Sequence, residues 1–273
     1  MALTKTALPG PRRILESLIL FRRVLPAYLS SLLYHVYTGW LFIGDDIKNT
    51  TTVGVLFAAV HAYVAPILSM GSALSFVQIL AAVPSMMLWT WSNLFLFNLH
   101  NQRQGMAEDA LNKPWRPLPS RRLTSEQATF VTYFMYPTTW TVAIRFGGLV
   151  PCLFETAFSL WYNELGGSGN PFLKSLLNGV GLTCFLVGPL EVATGHAIFS
   201  GQGKSAAWIF ILAAAMTVTS HIQDFRDVEG DRAAGRRTIP LTIGDMNARV
   251  LAAIGGGGSS SIACKDNLFW FFC

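Results

Sequence analysis

The chain has 273 residues, 52% hydrophobic and only 13% charged, with a mean hydropathy of +0.42 and a formal net charge of +5. A soluble domain carries about 25% charged residues, so the composition excludes a disordered chain, argues against an ordinary soluble enzyme, and leaves a polytopic membrane protein. In that class the excess of 20 Lys+Arg over 15 Asp+Glu orients loops and gives no reason to invoke nucleic acid.

Residues 1–13 carry Lys5, Arg12 and Arg13, but Glu16, Arg22 and Arg23 break the apolar run that follows, so no cleavable signal peptide is read. Residues 1–44 form an N-terminal segment, amphipathic from residue 14, suited to the membrane interface or to a first short helix. A bilayer span needs about 20 mostly apolar residues. Six stretches qualify: 52–70, 76–100, 126–145, 147–163, 173–199 and 205–223; the fourth is short and carries Glu155. The expected architecture for 45–254 is therefore an all-α, polytopic transmembrane helical bundle. Residues 255–273 open with GGGGSSS, a flexible low-complexity run, and end in LFWFFC, too short to span. Cys152, Cys184, Cys264 and Cys273 show neither CxxC nor Cys/His spacing, so neither a disulfide framework nor a zinc site is read.

Two polar stretches interrupt the apolar pattern, HNQRQGMAEDALNKPWRPLPSRRLTS at 100–125 and IQDFRDVEGDRAAGRRT at 222–238. Both are rich in Lys and Arg, and four expected spans separate them. They therefore share one side of the membrane, the cytosol by the positive-inside rule. In the second stretch Asp224, Asp227 and Asp231 fall at i, i+3 and i+7, one face of a helix. Three carboxylates on one face repel one another unless a cation joins them, and oxygen ligands suit Mg²⁺. A solvated helix end with charges paired to Arg226 and Arg232 is an equal reading of that stretch in isolation. In the first stretch Asn101, Gly105 and Asp109 share a face at i, i+4 and i+8, with Gln102 beside it and Glu108 as a reserve ligand. Lys113 and Arg116 follow in a proline-stiffened loop and suit phosphate oxygens. Carboxylates for Mg²⁺ and cations for phosphate, on one membrane face above an apolar bundle, suit a lipid-tailed diphosphate. Its ionisation needs the leaving charge neutralised.

Within the bundle, Phe95 is the best placed of the aromatics flanking the first motif, as a wall for a carbocation. Glu191, inside the fifth span after Gly188-Pro189, is a functional candidate by default. It would steer a cation or accept a proton, or else sit neutral and hydrogen-bonded at a proline kink. Glu155 and His196 carry the same ambiguity with less support.

QDFRDVEGDRAAGRRTIP resembles the second Asp-rich motif of the UbiA superfamily of intramembrane prenyltransferases, and EDALNKPWRPLPS resembles the stretch leaving the first. Gln102 and Gly105 stand where that family has aspartates, a pattern similar to fungal UbiA-type sesquiterpene cyclases. The resemblance implies a helical bundle around a central cavity, Mg²⁺ as cofactor, and a prenyl diphosphate, farnesyl diphosphate, as substrate. It implies metal held by Asp224, Asp227, Asp231 and Asp109 with Asn101, and Gln102 beside the substrate. Lys113, Arg116 and Arg232 would neutralise the diphosphate. The chain would cyclise and lose a proton, with the departing pyrophosphate as base, and the enzyme would sit in the endoplasmic reticulum membrane. Two further readings are an aromatic prenyltransferase and a shortened, non-catalytic form, the latter because the family has nine membrane helices and the residues after 250 do not resemble it.

Overall fold

The computed structural model describes residues 11–198, 203–233 and 235–255. Residues 1–10 of the N-terminal segment, Phe199 at the end of the fifth expected span, residues 256–273 of the tail and the side chain of Asp227 lie outside what it describes. The chain divides into two units, residues 1–41 and 42–273. In the first, residues 11–41 belong to one long helix, α1 (Pro11–Ile43). Leu29, Leu32, Leu33 and Val36 are exposed on it, an apolar surface suited to lipid.

The second unit is helical throughout, with no strand among the described residues. Its helices are α2 (Val53–Tyr63), α3 (Phe76–Gln104), α4 (Met106–Asn112), α5 (Ser125–Phe146), α6 (Leu149–Asn163), α7 (Pro171–Thr194), α8 (Gly203–Thr219), α9 (Asp224–Ala233), α10 (Ile239–Ile243) and α11 (Asp245–Gly255). The starts of the long helices are written locally. Ser75 with Gln78 and Thr124 with Gln127 form capping boxes on α3 and α5, each side chain satisfying the other's backbone N–H. Asn170 caps α7, and Pro171 follows at its first position. Gly147 and Gly148, at φ of 104° and 75°, turn the chain from α5 into α6 through backbone that side chains disfavour.

Helix α7 is the hub, packed on α2, α3, α6 and α8. Missing side chains make that possible. A Cβ on Gly179 would fall 2.4 Å from the Thr217 backbone nitrogen of α8, and one on Gly188 would enter the Trp89 ring of α3 at 2.1 Å. On α2, a Cβ at Gly54 would strike the Phe185 carbonyl of α7 at 2.4 Å. Without water between helices in lipid, close backbone approach replaces hydrophobic drive. Met86, Trp89, Val187 and Leu190 fill the resulting core.

Among the described residues three helices are long and apolar enough to cross a membrane, Phe76–Gln104, Pro171–Thr194 and Gly203–Arg226. They correspond to the second, fifth and sixth expected spans. The other expected spans fall short of that length or hydropathy. The stretch 52–70 breaks after Tyr63 into a short 3₁₀ turn, Ala65–Leu68, that contains Pro66. Helix α6 has 15 residues, about 22 Å at 1.5 Å per residue against a hydrocarbon core of about 30 Å. Helix α5 has the length, with 22 residues, but its sequence is diluted by Thr, Tyr, Gln and Arg. Its exposed Phe130, Phe134 and Ile144 still offer lipid an apolar face.

Candidate active site

A cavity of about 880 Å³ opens in the second unit. One end is built from the polar stretches. Asp45, Asp46, Glu108, Asp109, Asp224 and Asp231 line it, with Lys113, Arg116, Lys174, Arg226 and Arg236. The other end lies along the helices and is lined by Leu94, Phe97, Phe158, Leu177, Phe185 and Leu186. Phe97 and Tyr162 form a tilted aromatic pair, centroids 6.2 Å apart, on the cavity wall. Asn101, Gly105 and Asp109 all line the cavity, as their common face requires, and Asp224 and Asp231 join them from α9. The two polar stretches, nearly a hundred residues apart in sequence, thus meet at one opening.

Charge is closely matched there. Arg116, 4% exposed, spreads its guanidinium over three carboxylates. Nη1 donates to both oxygens of Asp109 at 3.1 and 3.0 Å, Nε to Asp45 at 3.3 Å, and Nη2 to Asp46 at 3.5 Å. Burial opposes that charge, but Asp109, Asp46 and Asp45 outweigh it and raise the arginine's pKa. The Lys174 ammonium donates to Asp224 Oδ1 at 2.8 Å. Arg236 lies 2.6 Å from Glu108 and 3.6 Å from Asp231. Burial pushes the Glu108 carboxyl above its ordinary range despite the Arg236 charge.

Beside this opening, Glu164 at the end of α6 ties down the last turn of α3. It accepts from Arg103 at 3.1 Å and from the Gln104 amide, and it lies 2.8 Å from His100 Nδ1. The other ring nitrogen of His100 is 2.8 Å from the Tyr136 hydroxyl of α5. Burial raises the Glu164 carboxyl, but the His100 hydrogen bond, the Arg103 charge and the Gln104 hydrogen bond together hold it below its ordinary value.

Several expected site residues fall elsewhere. Phe95 packs edge-on against Phe42, centroids 5.1 Å apart, in a core with Leu99 and Leu118. Gln102 is fully buried and is not a lining residue. Phe95, Leu99 and Gln102 form a stripe one residue, about 100°, around α3 from the cavity face of Leu94, Asn98, Asn101 and Gly105. Glu191 is buried but off the α7 stripe of Lys174, Leu177, Asn178, Gly181 and Phe185 that lines the cavity. Its backbone carbonyl instead lies under the α5–α6 turn, where a Cβ on Gly147 would reach it at 3.2 Å. Glu155 of α6, the other carboxylate weighed from sequence, lines the cavity instead. Arg232 is exposed and outside the lining, and Arg236 takes that place. Arg116 reaches the cavity with its fork already engaged by carboxylates. Reasoning from sequence missed Asp45, Asp46 and Lys174. Lys174, a lone cation at the edge of an apolar run, was the one readable signal among them.

Among the described residues no group of three His, Cys, Asp or Glu side chains converges as a metal cage. The donors at the opening are carboxylate and amide oxygens, Asp224, Asp231, Asp109, Asn101 and Gln223, without thiol or imidazole among them. That donor chemistry fits a hard divalent cation that keeps part of its water shell.

A carboxylate- and cation-lined opening thus sits over an apolar helical pocket in one cavity. Residues 50–272 match the UbiA prenyltransferase family, and the chain belongs to it. Over 162 residues it is 33% identical to fumagillin beta-trans-bergamotene synthase of Aspergillus fumigatus, covering 59% of this chain and 55% of that one. It is 32% identical over 230 residues to somaliensene A/B synthase of Streptomyces somaliensis, covering 81% of this chain and 70% of that one. The chain thus spans about half the length of the Aspergillus relative. A solved structure of a digeranylgeranylglyceryl phosphate synthase shares the fold, with a TM-score of 0.55 at 17% identity over 81% of this chain and 75% of that one.

Proposed function

We propose that the protein is a membrane-bound terpene cyclase that ionises a prenyl diphosphate, farnesyl diphosphate, and folds the resulting cation in the apolar part of the cavity. The observation that carries this reading is the continuity of one cavity from a carboxylate- and cation-lined mouth to a wall of Leu and Phe. Asp224, Asp227 and Asp231, with Asp109 and Asn101, are the residues that would hold Mg²⁺. When bound, Mg²⁺ neutralises the developing diphosphate charge. Lys113, Arg226 and Arg236 reach the same opening and supply further positive charge to the leaving group. Arg116 holds Asp45, Asp46 and Asp109 in place. Phe97, Tyr162, Phe158 and Phe185 exclude water from the cation and present aromatic faces to it. Terpene synthases among the relatives, and Gly105 in place of a carboxylate, support cyclisation over transfer. On this reading the opening faces the cytosol and the endoplasmic reticulum is the host membrane.

The test is product analysis after incubation with farnesyl diphosphate and Mg²⁺, with no acceptor. A cyclic sesquiterpenoid supports the cyclase. A product formed only after an acceptor is added refutes it in favour of a prenyltransferase, the reading that the family as a whole favours.

A further inference from the structure

The interior of the cavity is not uniformly apolar. Asn98 of α3 and Glu155 and Ser159 of α6 line it, with exposures of only 1%, 4% and 3%. Both amide atoms of Asn98, Oε2 of Glu155 and the Ser159 hydroxyl have no hydrogen-bond partner. Glu155 and Ser159 stand at i and i+4, on one face of α6. Asn98 precedes Asn101 by one turn on the cavity face of α3. Helix α7 leaves room for the carboxylate: a Cβ on Gly181 would lie 2.9 Å from Glu155 Oε2. Buried polar groups ordinarily find partners, so unpaired ones gathered on one cavity wall describe the ligand that the wall receives. A hydrocarbon chain can pair with none of them. A hydroxyl donates one hydrogen bond and accepts two, which matches a carboxylate acceptor beside amide and hydroxyl donors.

We infer that this interior patch binds the water that ends the reaction, and that Glu155 takes its proton. The inference rests on the reading of the cavity as a prenyl diphosphate site. The allylic C–O bond breaks with its electron pair leaving on the diphosphate. A lone pair of the bound water oxygen forms a new C–O bond to the carbocation. The O–H proton passes to the Glu155 carboxylate, which becomes a neutral acid. The product is then an alcohol, where an ending by simple proton loss gives a hydrocarbon.

The experiment uses the full chain in lipid nanodiscs with farnesyl diphosphate and Mg²⁺ in ¹⁸O-water, with no acceptor. Pyrophosphate release and the oxygen content of the organic product are read together. The expected product is an alcohol that carries ¹⁸O. Glu155→Gln is expected to lower oxygenated product per pyrophosphate released by at least about tenfold, with partial rescue by Glu155→Asp. Hydrocarbon alone at full pyrophosphate release, or an oxygenated yield per release unmoved by Glu155→Gln, overturns the inference and leaves the diphosphate reading standing. Absence of pyrophosphate release counts against the diphosphate reading, and the patch is then judged by binding. A cyclic sesquiterpene alcohol should raise the Tm of the wild type more than that of Glu155→Gln or Asn98→Ala, whereas the matching hydrocarbon should not distinguish them. Equal stabilisation by the alcohol in all three overturns the inference.

Discussion

Lys174 provides a test in which stability and metal binding oppose each other. Its ammonium lies 2.8 Å from Asp224, with side-chain exposures of 10% and 5%. At that separation an effective dielectric of about 20 gives an attraction of about 6 kcal/mol, much of it offset by the desolvation of both ions. Lys174→Met keeps the apolar stem and leaves Asp224 buried without its cation, a loss of about 3–5 kcal/mol. Any buried ion pair would behave so. The proposed role of Asp224 adds a second expectation, because a divalent cation at that carboxylate replaces the missing charge. Mg²⁺ should restore most of the lost stability, and should bind the variant more tightly than the wild type because no ammonium competes. The assay is unfolding in nanodiscs of the wild type, Lys174→Met, Asp224→Asn and the double variant, each in EDTA and in saturating Mg²⁺. The double-variant cycle isolates the coupling. A loss of the same size with and without Mg²⁺ would refute Asp224 as a metal ligand.

Gly105→Asp places a carboxylate between Asn101 and Asp109 on the cavity face; its Cβ would lie 3.1 Å from the Asn101 carbonyl. We expect roughly tenfold tighter Mg²⁺ binding by calorimetry, because added ligand charge raises affinity, and unchanged affinity would remove position 105 from the metal environment. Gly188→Ala drives a methyl into the buried Trp89 ring and should cost about 1–3 kcal/mol in denaturant unfolding. Gly169→Ala, with nothing within 4 Å of its Cβ, should stay within about 0.5 kcal/mol. The Glu164 carboxyl is held below its ordinary value in the folded state. Its contribution to stability is therefore full above the unfolded value of about 4.3 and fades as pH falls through the lower folded value. The unfolding midpoint should drop between about pH 5 and about pH 3, and Glu164→Gln should flatten that drop while lowering stability at neutral pH; an unchanged acid slope would dismiss the carboxyl as its source.

Helical periodicity made much of the opening legible. Asn101, Gly105 and Asp109 share a face by spacing alone, and all three line the cavity. The same holds for Asp224 and Asp231. The structure departs from the sequence reading where proximity along the chain stood in for angular position. Phe95 and Gln102 are near neighbours of the motif but one step around the helix, which turns Phe95 toward Phe42 and Leu118 and takes Gln102 off the lining. The choice between intramembrane carboxylates turned on the same geometry. Glu191 looked stronger beside Gly188-Pro189, yet the face that α7 gives to the cavity runs from Lys174 to Leu186 and passes it by. Long-range partners had no local signature. Lys174 meets Asp224 fifty residues away, and Asp45 and Asp46 meet Arg116 seventy or more residues away. The short helices α2 and α6 show the limit of hydropathy, which counts apolar residues without registering the break around Pro66.

The central claim is that the carboxylates at the opening drive diphosphate ionisation over the apolar cavity. The most direct measurement is pyrophosphate release from farnesyl diphosphate in nanodiscs with Mg²⁺ and no acceptor. The wild type, Asp231→Asn and the exposed control Asp245→Asn should be compared. The account predicts release by the wild type, a loss of at least about a hundredfold in Asp231→Asn, and a rate within about twofold of wild type in Asp245→Asn. Equal rates for Asp231→Asn and the wild type would contradict it.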